Sequence, residues 1–389
     1  MLSFYFRPDL SAGSFRASTL VDSLLSILPA DASIEVITTA PNRYHSFNQE
    51  MPEVETVGAL TVRRFALPLH RSDIWGQARA FMHFARRVNR QTADAHYDVV
   101  FATSSRLMTA ALGAWIARRA HARLYLDIRD IFVDTIGDVF PRFADVLKPP
   151  LSALERWTMR RADRINLVSR GFESYFRSRY PDRRYSWFTN GIDEEFLRTK
   201  WTQAASSDAQ RPLLVVYAGN IGEGQGLHAI LPELAVRLVQ RVRFLVIGDG
   251  GRRELLLERL RQVDAQNVEV LPPMPRAALL EAYMSADVLF LHLNAYAAFE
   301  KVLPSKIFEY AAMGKPIWAG VAGYAASFIA AEVSNAAVFA PCDASEAIKN
   351  LETLILRDQP REDFVARYDR RRISGAMAVD ILELAVPAA

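Results

Sequence analysis

Short apolar runs alternate with longer helical patterns along this whole chain, and that rhythm limits its fold more than any single motif. In the first half, Leu2–Phe6, Ile34–Thr38, Thr61–Ala66, Val99–Ala102, Leu124–Ile128, Arg164–Val168 and Tyr185–Phe188 read as strands. Helical patterns lie at Phe15–Leu28, Ile74–Gln91, Arg106–Ala120, Leu151–Arg161 and Arg170–Arg179. In the second half, strands are expected at Leu213–Ala218, Phe244–Ile247, Val268–Leu271, Val288–Leu291, Ile317–Trp318 and Ala337–Phe339. The helices expected there are Leu227–Arg241, Gly251–Gln266, Arg276–Ser285 and Ser305–Met313. Strand and helix in alternation predict an α/β chain with parallel sheets covered on both faces.

The chain has 389 residues, more than the ~100–200 of one domain, so two domains are expected. The polar stretch Thr199–Pro212 carries no apolar period and precedes a fresh buried strand, which makes it the linker region. The expected domains are 1–195 and 196–362, with a helix from Asp363 onward returning to pack on the first. A net charge of +3 does not support nucleic-acid binding. A single cysteine, Cys342, excludes a disulfide framework and suits a reducing, cytoplasmic compartment. No apolar run approaches the ~18 residues of a spanning helix, and the N-terminus lacks the basic region of a signal peptide. Basic residues are clustered, however: Arg63, Arg64, Arg71, Arg79, Arg86, Arg87 and Arg90, then Arg156, Arg160, Arg161 and Arg164. The Ile74–Gln91 helix sets Ile74, Trp75, Ala78, Phe81, Met82, Ala85 and Val88 apart from its arginines. Such a helix either packs on its own domain or lies on the inner face of an anionic membrane.

Several junctions carry chemistry. In Pro304-Ser-Lys-Ile-Phe-Glu-Tyr310, Lys306 and Glu309 lie three apart and share a helix face, while the helix start supplies amide donors. Either the two form a surface ion pair, or Lys306, Ser305 and the amides suit a phosphate and Glu309 suits sugar hydroxyls. The helix is expected to stop at Gly314, before a strand that follows Pro316. Val216–Leu227 places four glycines after a buried strand, with Gly219, Asn220, Gly222 and Gln225 as candidate phosphate contacts. Gly248 and Asp249 form a second strand–glycine–helix junction, either a tight turn or a loop beneath the base. Gly13, Ser14 and Arg16 open the first helix, either as a plain turn capped by Ser14 or as a contact for a phosphate or sugar; Arg16 opposes the helix dipole there and is expected to serve an anion. Asp127 and Asp130 stand at the end of a core strand, where they either orient an acceptor hydroxyl or pair with Arg129. Thr189-Asn-Gly-Ile-Asp193 is a turn signal, and a lone histidine such as His292 is expected in the core. The carboxylates and the seven histidines show no metal-ligand spacing.

Taken together, Phe4-Tyr-Phe…Ala12-Gly-Ser-Phe-Arg-Ala17, Tyr217-Ala-Gly-Asn-Ile-Gly222…Gln225-Gly226 and Pro304–Tyr310 resemble the retaining glycosyltransferases of family four. The resemblance covers nearly the whole chain and points to the branch that builds bacterial cell-surface polysaccharides, lipopolysaccharide among them. It implies GT-B architecture, two Rossmann-like domains facing a cleft. It also implies transfer, with retention and without a metal, from a nucleotide-diphosphate sugar (UDP-linked in the first instance) to a lipid-linked or polysaccharide acceptor. By the same resemblance Glu309 would hold the ribose, and Lys306 would stabilise the leaving diphosphate. Asp127 and Asp130 occupy the strand end of the family's catalytic histidine. The sequence departs from the family pattern at Lys301, where a sugar-binding glutamate is usual and Glu300 is adjacent. It departs also at Asn220 and Gln225, where an arginine and a lysine are usual. Two rivals share the architecture: a nucleotide-sugar 2-epimerase, which needs acid/base groups and no acceptor, and a non-catalytic nucleotide-sugar-binding subunit.

Overall fold

The computed structural model describes residues 1–9, 11–41, 51–68, 74–104, 107–139, 144–197 and 211–385. Arg71, the side chains of Ile74 and Trp75, and most of the expected linker (198–210) lie outside the described residues. Contacts divide the chain into two units, Met1–Asn190 with Arg370–Ala389, and Gly191–Asp369.

The first unit opens with α1 (Ala12–Ile27), β1 (Ile34–Thr39), β2 (Val54–Val57) and β3 (Leu60–Phe65). It continues through α2 (Ile74–Gln91), β4 (Val99–Thr103), α3 (Leu107–Ala120), β5 (Arg123–Ile128), α4 (Phe132–Val139) and α5 (Ala144–Met159). Its remaining elements before the crossing are β6 (Arg164–Leu167), α6 (Glu173–Arg179) and β7 (Tyr185–Ser186). The strand orders are β1-β3-β2 and β4-β5-β6-β7. The two sets are joined through Leu2, which bridges Ile37 on one side and Ala102 on the other. The expected strand Leu2–Phe6 is thus reduced to one bridged residue, and Phe4 turns instead into an aromatic cluster with Phe81 and Phe84 of α2. The sheet is not wholly parallel, because β2 pairs antiparallel with β3. The signal for β2 is weak: Val54 and Val57 are exposed, so the edge strand carries no buried alternation.

The second unit comprises α7 (Glu194–Leu197), β8 (Leu213–Ala218), α8 (Leu227–Arg237), β9 (Val242–Ile247), α9 (Arg253–Gln262), β10 (Val268–Leu271) and α10 (Arg276–Ser285). It is completed by β11 (Val288–His292), α11 (Lys306–Ala312), β12 (Ile317–Gly320), α12 (Gly323–Glu332), β13 (Ala336–Phe339), α13 (Ala344–Leu351) and α14 (Glu362–Tyr368). Six parallel strands run in the order β10-β9-β8-β11-β12-β13. Side chains alternate across this sheet. Val215 and Tyr217 enter one apolar cluster with Leu231 and Trp318, while Val216 and Ala218 enter the other with Leu289 and Ile307. The glycine stop after α11 is present as Gly314 at φ 61°.

The unit boundaries differ from the expected 195/196 and 362/363. Ile192 and Phe196 are buried in the second unit's core beside Tyr283, so the chain has already joined that unit by Gly191. At the other end Phe364 and Tyr368 pack on Phe308, which keeps α14 in the second unit. Only α15 (Arg370–Leu382) returns, placing Met377, Ala378 and Ile381 against Leu20 and Leu24 of α1.

Candidate functional site

The site in the second unit begins with the register of β8 and β9. Ala218 pairs with Ile247, so Gly219 and Gly248 leave adjacent strands side by side. A Cβ on Gly248 would lie 1.8 Å from the Gly219 carbonyl oxygen, and Gly248 has φ 155°. The second glycine junction is therefore built for loop-on-loop packing, the tight-turn alternative. Asp249 completes it by accepting from the Gly250 amide at 2.8 Å and offering its own carbonyl to the Ile221 amide.

Lys306 fills the space over the first loop. A Cβ on Gly219 (φ 143°) would fall 2.0 Å from Lys306 Nζ, and the ammonium stands 5.8 Å from the centre of the Tyr217 ring. Lys306 makes no hydrogen bond or ion pair among the described residues. Desolvation pulls its pKa below that of an ordinary lysine, with Glu309 opposing the shift and Arg276 adding to it. The amides of Asn220 and Gly222 likewise lack an acceptor among the described residues, whereas those of Gly219 and Ile221 are bonded to Ile247 and Asp249. One cation and two amides thus converge on this loop, a combination suited to an anion. The start of α11 offers less than expected. The Ile307 and Phe308 amides are bonded to the Pro304 and Ser305 carbonyls, and Ser305 makes no side-chain cap.

Asn220 and Gln225 are placed together but bond each other, Asn220 Nδ2 donating to Gln225 Oε1 at 2.7 Å. Gly222 leaves room for that pair, since a Cβ there would meet Asn220 Nδ2 at 2.4 Å. The Tyr217 hydroxyl donates to the Asn220 carbonyl at 2.6 Å, which further fixes the loop. His292 is a core residue, as its sequence suggests. Its Nε2 accepts from the Cys342 amide at 2.9 Å, so Nδ1 carries the proton and donates to the Gln225 carbonyl at 2.7 Å. Burial lowers its pKa to about 4. Glu300 is exposed, and its carbonyl is where a Cβ on Gly323 would collide, at 2.2 Å.

Glu309 has a partner that sequence reasoning missed. Arg276 Nη1 lies 3.5 Å from Glu309 Oε1, and Nη2 is ion-paired with Asp193. The Arg276 guanidinium also sits 5.0 Å from the Phe196 ring. Burial works against this charge, but Glu309 and Asp193 outweigh it and raise the arginine pKa. A usable signal was present: Arg276 opens α10 directly after Pro275, where a cation opposes the helix dipole.

In the first unit the structure turns two expected site residues toward each other. Arg16 and Asp127 are both buried. Arg16 Nε and Nη2 meet the two Asp127 oxygens at 2.9 and 3.0 Å. The remaining Arg16 donors reach the Phe188 and Thr189 carbonyls, and Asn166 donates to Asp127 at 2.7 Å. Arg16 is therefore not an open anion site, nor is Asp127 a free carboxylate; the pair ties α1 to β5 and to the chain beyond β7. The cap of α1 is Ser11, which accepts from the Ser14 amide at 3.2 Å; the buried Ser14 hydroxyl has no partner among the described residues. Arg129 pairs with neither aspartate. Its guanidinium lies against Gly13, 3.1 Å from where a Cβ would sit, and desolvation lowers its pKa to about 10, with Asp127 opposing. Asp130 is exposed, yet desolvation by the protein around it raises its carboxyl to about 6, Arg129 opposing. Among the described residues no group of three or more His, Cys, Asp or Glu is arranged to hold a metal.

The buried pair yields a stability prediction. Asp127→Asn strands the Arg16 charge and should cost about 3–5 kcal/mol, read as a lower urea midpoint. Unchanged stability with reduced turnover would restore Asp127 to the reaction.

Comparisons with known proteins follow the same division. Residues 19–191 match the glycosyl transferase 4-like domain, and residues 199–371 match the glycosyl transferases group 1 domain. The chain is 27% identical over 212 residues to the "Putative colanic acid biosynthesis glycosyl transferase WcaI" of Escherichia coli (strain K12). That match spans about half of each protein, 51% of this chain and 51% of WcaI. Among solved structures, sucrose-phosphate synthase from Thermosynechococcus elongatus is similar at TM-score 0.71 and 16% identity, over 95% of this chain and 93% of that one. Anabaena HepE in complex with UDP-glucose is similar at TM-score 0.66 and 15% identity, over 98% and 99%. The chain thus carries one glycosyl transferase domain match in each half, on a GT-B fold that it shares end to end with solved structures.

Proposed function

We propose that the protein is a retaining glycosyltransferase that moves a sugar from a nucleotide-diphosphate sugar, UDP-linked, to a hydroxyl of a lipid-linked or polysaccharide acceptor. The observation that carries this reading is the Lys306 ammonium seated on Gly219, with no ion pair among the described residues and beside two amides that lack an acceptor among them. The bond between anomeric carbon and phosphate oxygen breaks in this reaction, and charge builds on the departing diphosphate. A positioned cation and amides stabilise that charge more than the ground state. Glu309 takes the ribose hydroxyls. The HepE structure was solved with UDP-glucose, which supports the donor class, and the printed name of WcaI supports a surface-polysaccharide acceptor.

In the first unit, Asp130 is the carboxylate left to receive or orient the acceptor hydroxyl, since Asp127 is occupied by Arg16. Gly13, with the Arg129 guanidinium lying on it, is the anion-holding position there in place of Arg16. No helix among the described residues is long and apolar enough to cross a membrane. The exposed side of α2 carries Arg79, Met82, Arg86 and Arg90, while Phe81, Phe84 and Val88 are buried. This face supports peripheral contact with anionic lipid on the cytoplasmic side.

Lys306→Ala should lower turnover by roughly 10²-fold or more in a donor-dependent transfer assay; unchanged turnover removes the lysine from the reaction. If Asp130 accepts the acceptor proton, the rate rises with pH through about 6, and Asp130→Asn abolishes that limb. A limb that survives the substitution assigns the proton to another group. In flotation with phosphatidylserine liposomes, the protein should rise at low salt, and Arg79→Glu/Arg86→Glu/Arg90→Glu should stay at the bottom. Equal flotation of both proteins would discard α2 as the contact.

A further inference from the structure

Asp193 closes a turn motif that nucleotide binding does not use, yet it is 6% exposed and holds an ion pair with Arg276. A buried carboxylate is costly unless it is paired, and here its partner does not stop at one contact. Arg276 extends its second Nη toward Glu309 at 3.5 Å and rests against Phe196. Lys306 lies on the same helix face as Glu309, three residues before it. Lys306, Glu309, Arg276 and Asp193 therefore form a row of alternating charge drawn from α11, the start of α10 and the first residues of the second unit.

We infer that Arg276 is a positioning residue: fixed by Asp193 and Phe196, it holds the Glu309 carboxylate in the orientation that accepts both ribose hydroxyls of a nucleoside diphosphate. This rests on the proposed role of Glu309. A glutamate side chain left to itself samples several rotamers, and ordering it on binding opposes affinity. The planar guanidinium offers donors in a rigid fork, so it can hold two carboxylates in a fixed relation. A lysine at the same position has one ammonium on a flexible stem and can meet one of them well. Aiming Glu309 through Arg276 also leaves Lys306 free of a salt bridge and available to the diphosphate.

The experiment is calorimetric titration with UDP and with its 2′,3′-dideoxy analogue. Wild type should prefer UDP by ~10-fold or more, the scale of a hydrogen bond to a charged group, and Glu309→Gln should lose that preference. Arg276→Gln should lose it too, and the Arg276→Gln/Glu309→Gln double variant should lose no more than either single one. Arg276→Lys should keep part of it. Because Asp193 would be left unpaired in Arg276→Gln, Asp193→Asn/Arg276→Gln provides a folded background for the same comparison. Full preference retained in both Arg276 variants, with Glu309→Gln having lost it, overturns the inference and leaves the role of Glu309 standing. Absence of any preference in wild type overturns both.

Discussion

The seating of Lys306 on Gly219 is the contact on which the rest of the second unit's site depends. A side chain at position 219 would occupy the place of the ammonium, and a side chain at position 248 would push the whole glycine loop away from its neighbour. Both glycines follow directly from strand pairing, because Ala218 and Ile247 are register partners. The sheet thus delivers two loops in contact at its carboxyl edge, where open α/β sheets bind ligands. What remains above them is one partly buried cation and two amides that lack an acceptor among the described residues. The cation is held close to backbone dipoles, where an anion gains more from it than in water.

Charge is distributed differently in the two units, and each arrangement has its own physical cause. In the first unit Arg16 and Asp127 satisfy each other completely with the help of Asn166 and two carbonyls. Such a pair gives architecture and leaves little for a ligand. In the second unit the charges form a row whose last member, Lys306, makes no ion pair among the described residues. The loss of an arginine and a lysine at positions 220 and 225, relative to the resembled pattern, is met by an amide–amide bond between Asn220 and Gln225. That bond ties the two ends of the loop together, so Lys306 and the loop amides would meet an anion on a fixed frame.

Much of this was legible in the sequence. The strands at Leu213–Ala218 and Val268–Leu271 and the helix at Arg276–Ser285 agree with the structure to the residue; the first is a continuous apolar run ended by Gly219, as a central parallel strand requires. The spacing of Lys306 and Glu309 makes it legible that one helix carries both, and α11 does. The edge strand β2 escaped because its valines face solvent. Arg16 does serve an anion, as a cation in the first turn of a helix signals, but the sequence does not say whether that anion is a ligand or an aspartate 111 positions away. The same signal at Arg276 points to two carboxylates, one of them Asp193, distant by 83 positions. Local pattern identifies such residues as needing a partner; only the fold supplies the partner's name.

The most direct test of the account compares how the protein binds UDP and uridine, with and without the lysine. Wild type should bind UDP far more tightly than uridine, and Lys306→Met should reduce that difference by ~10-fold or more while binding uridine unchanged. Equal discrimination in the two proteins would contradict the assignment of the Gly219–Lys306 loop as the diphosphate site.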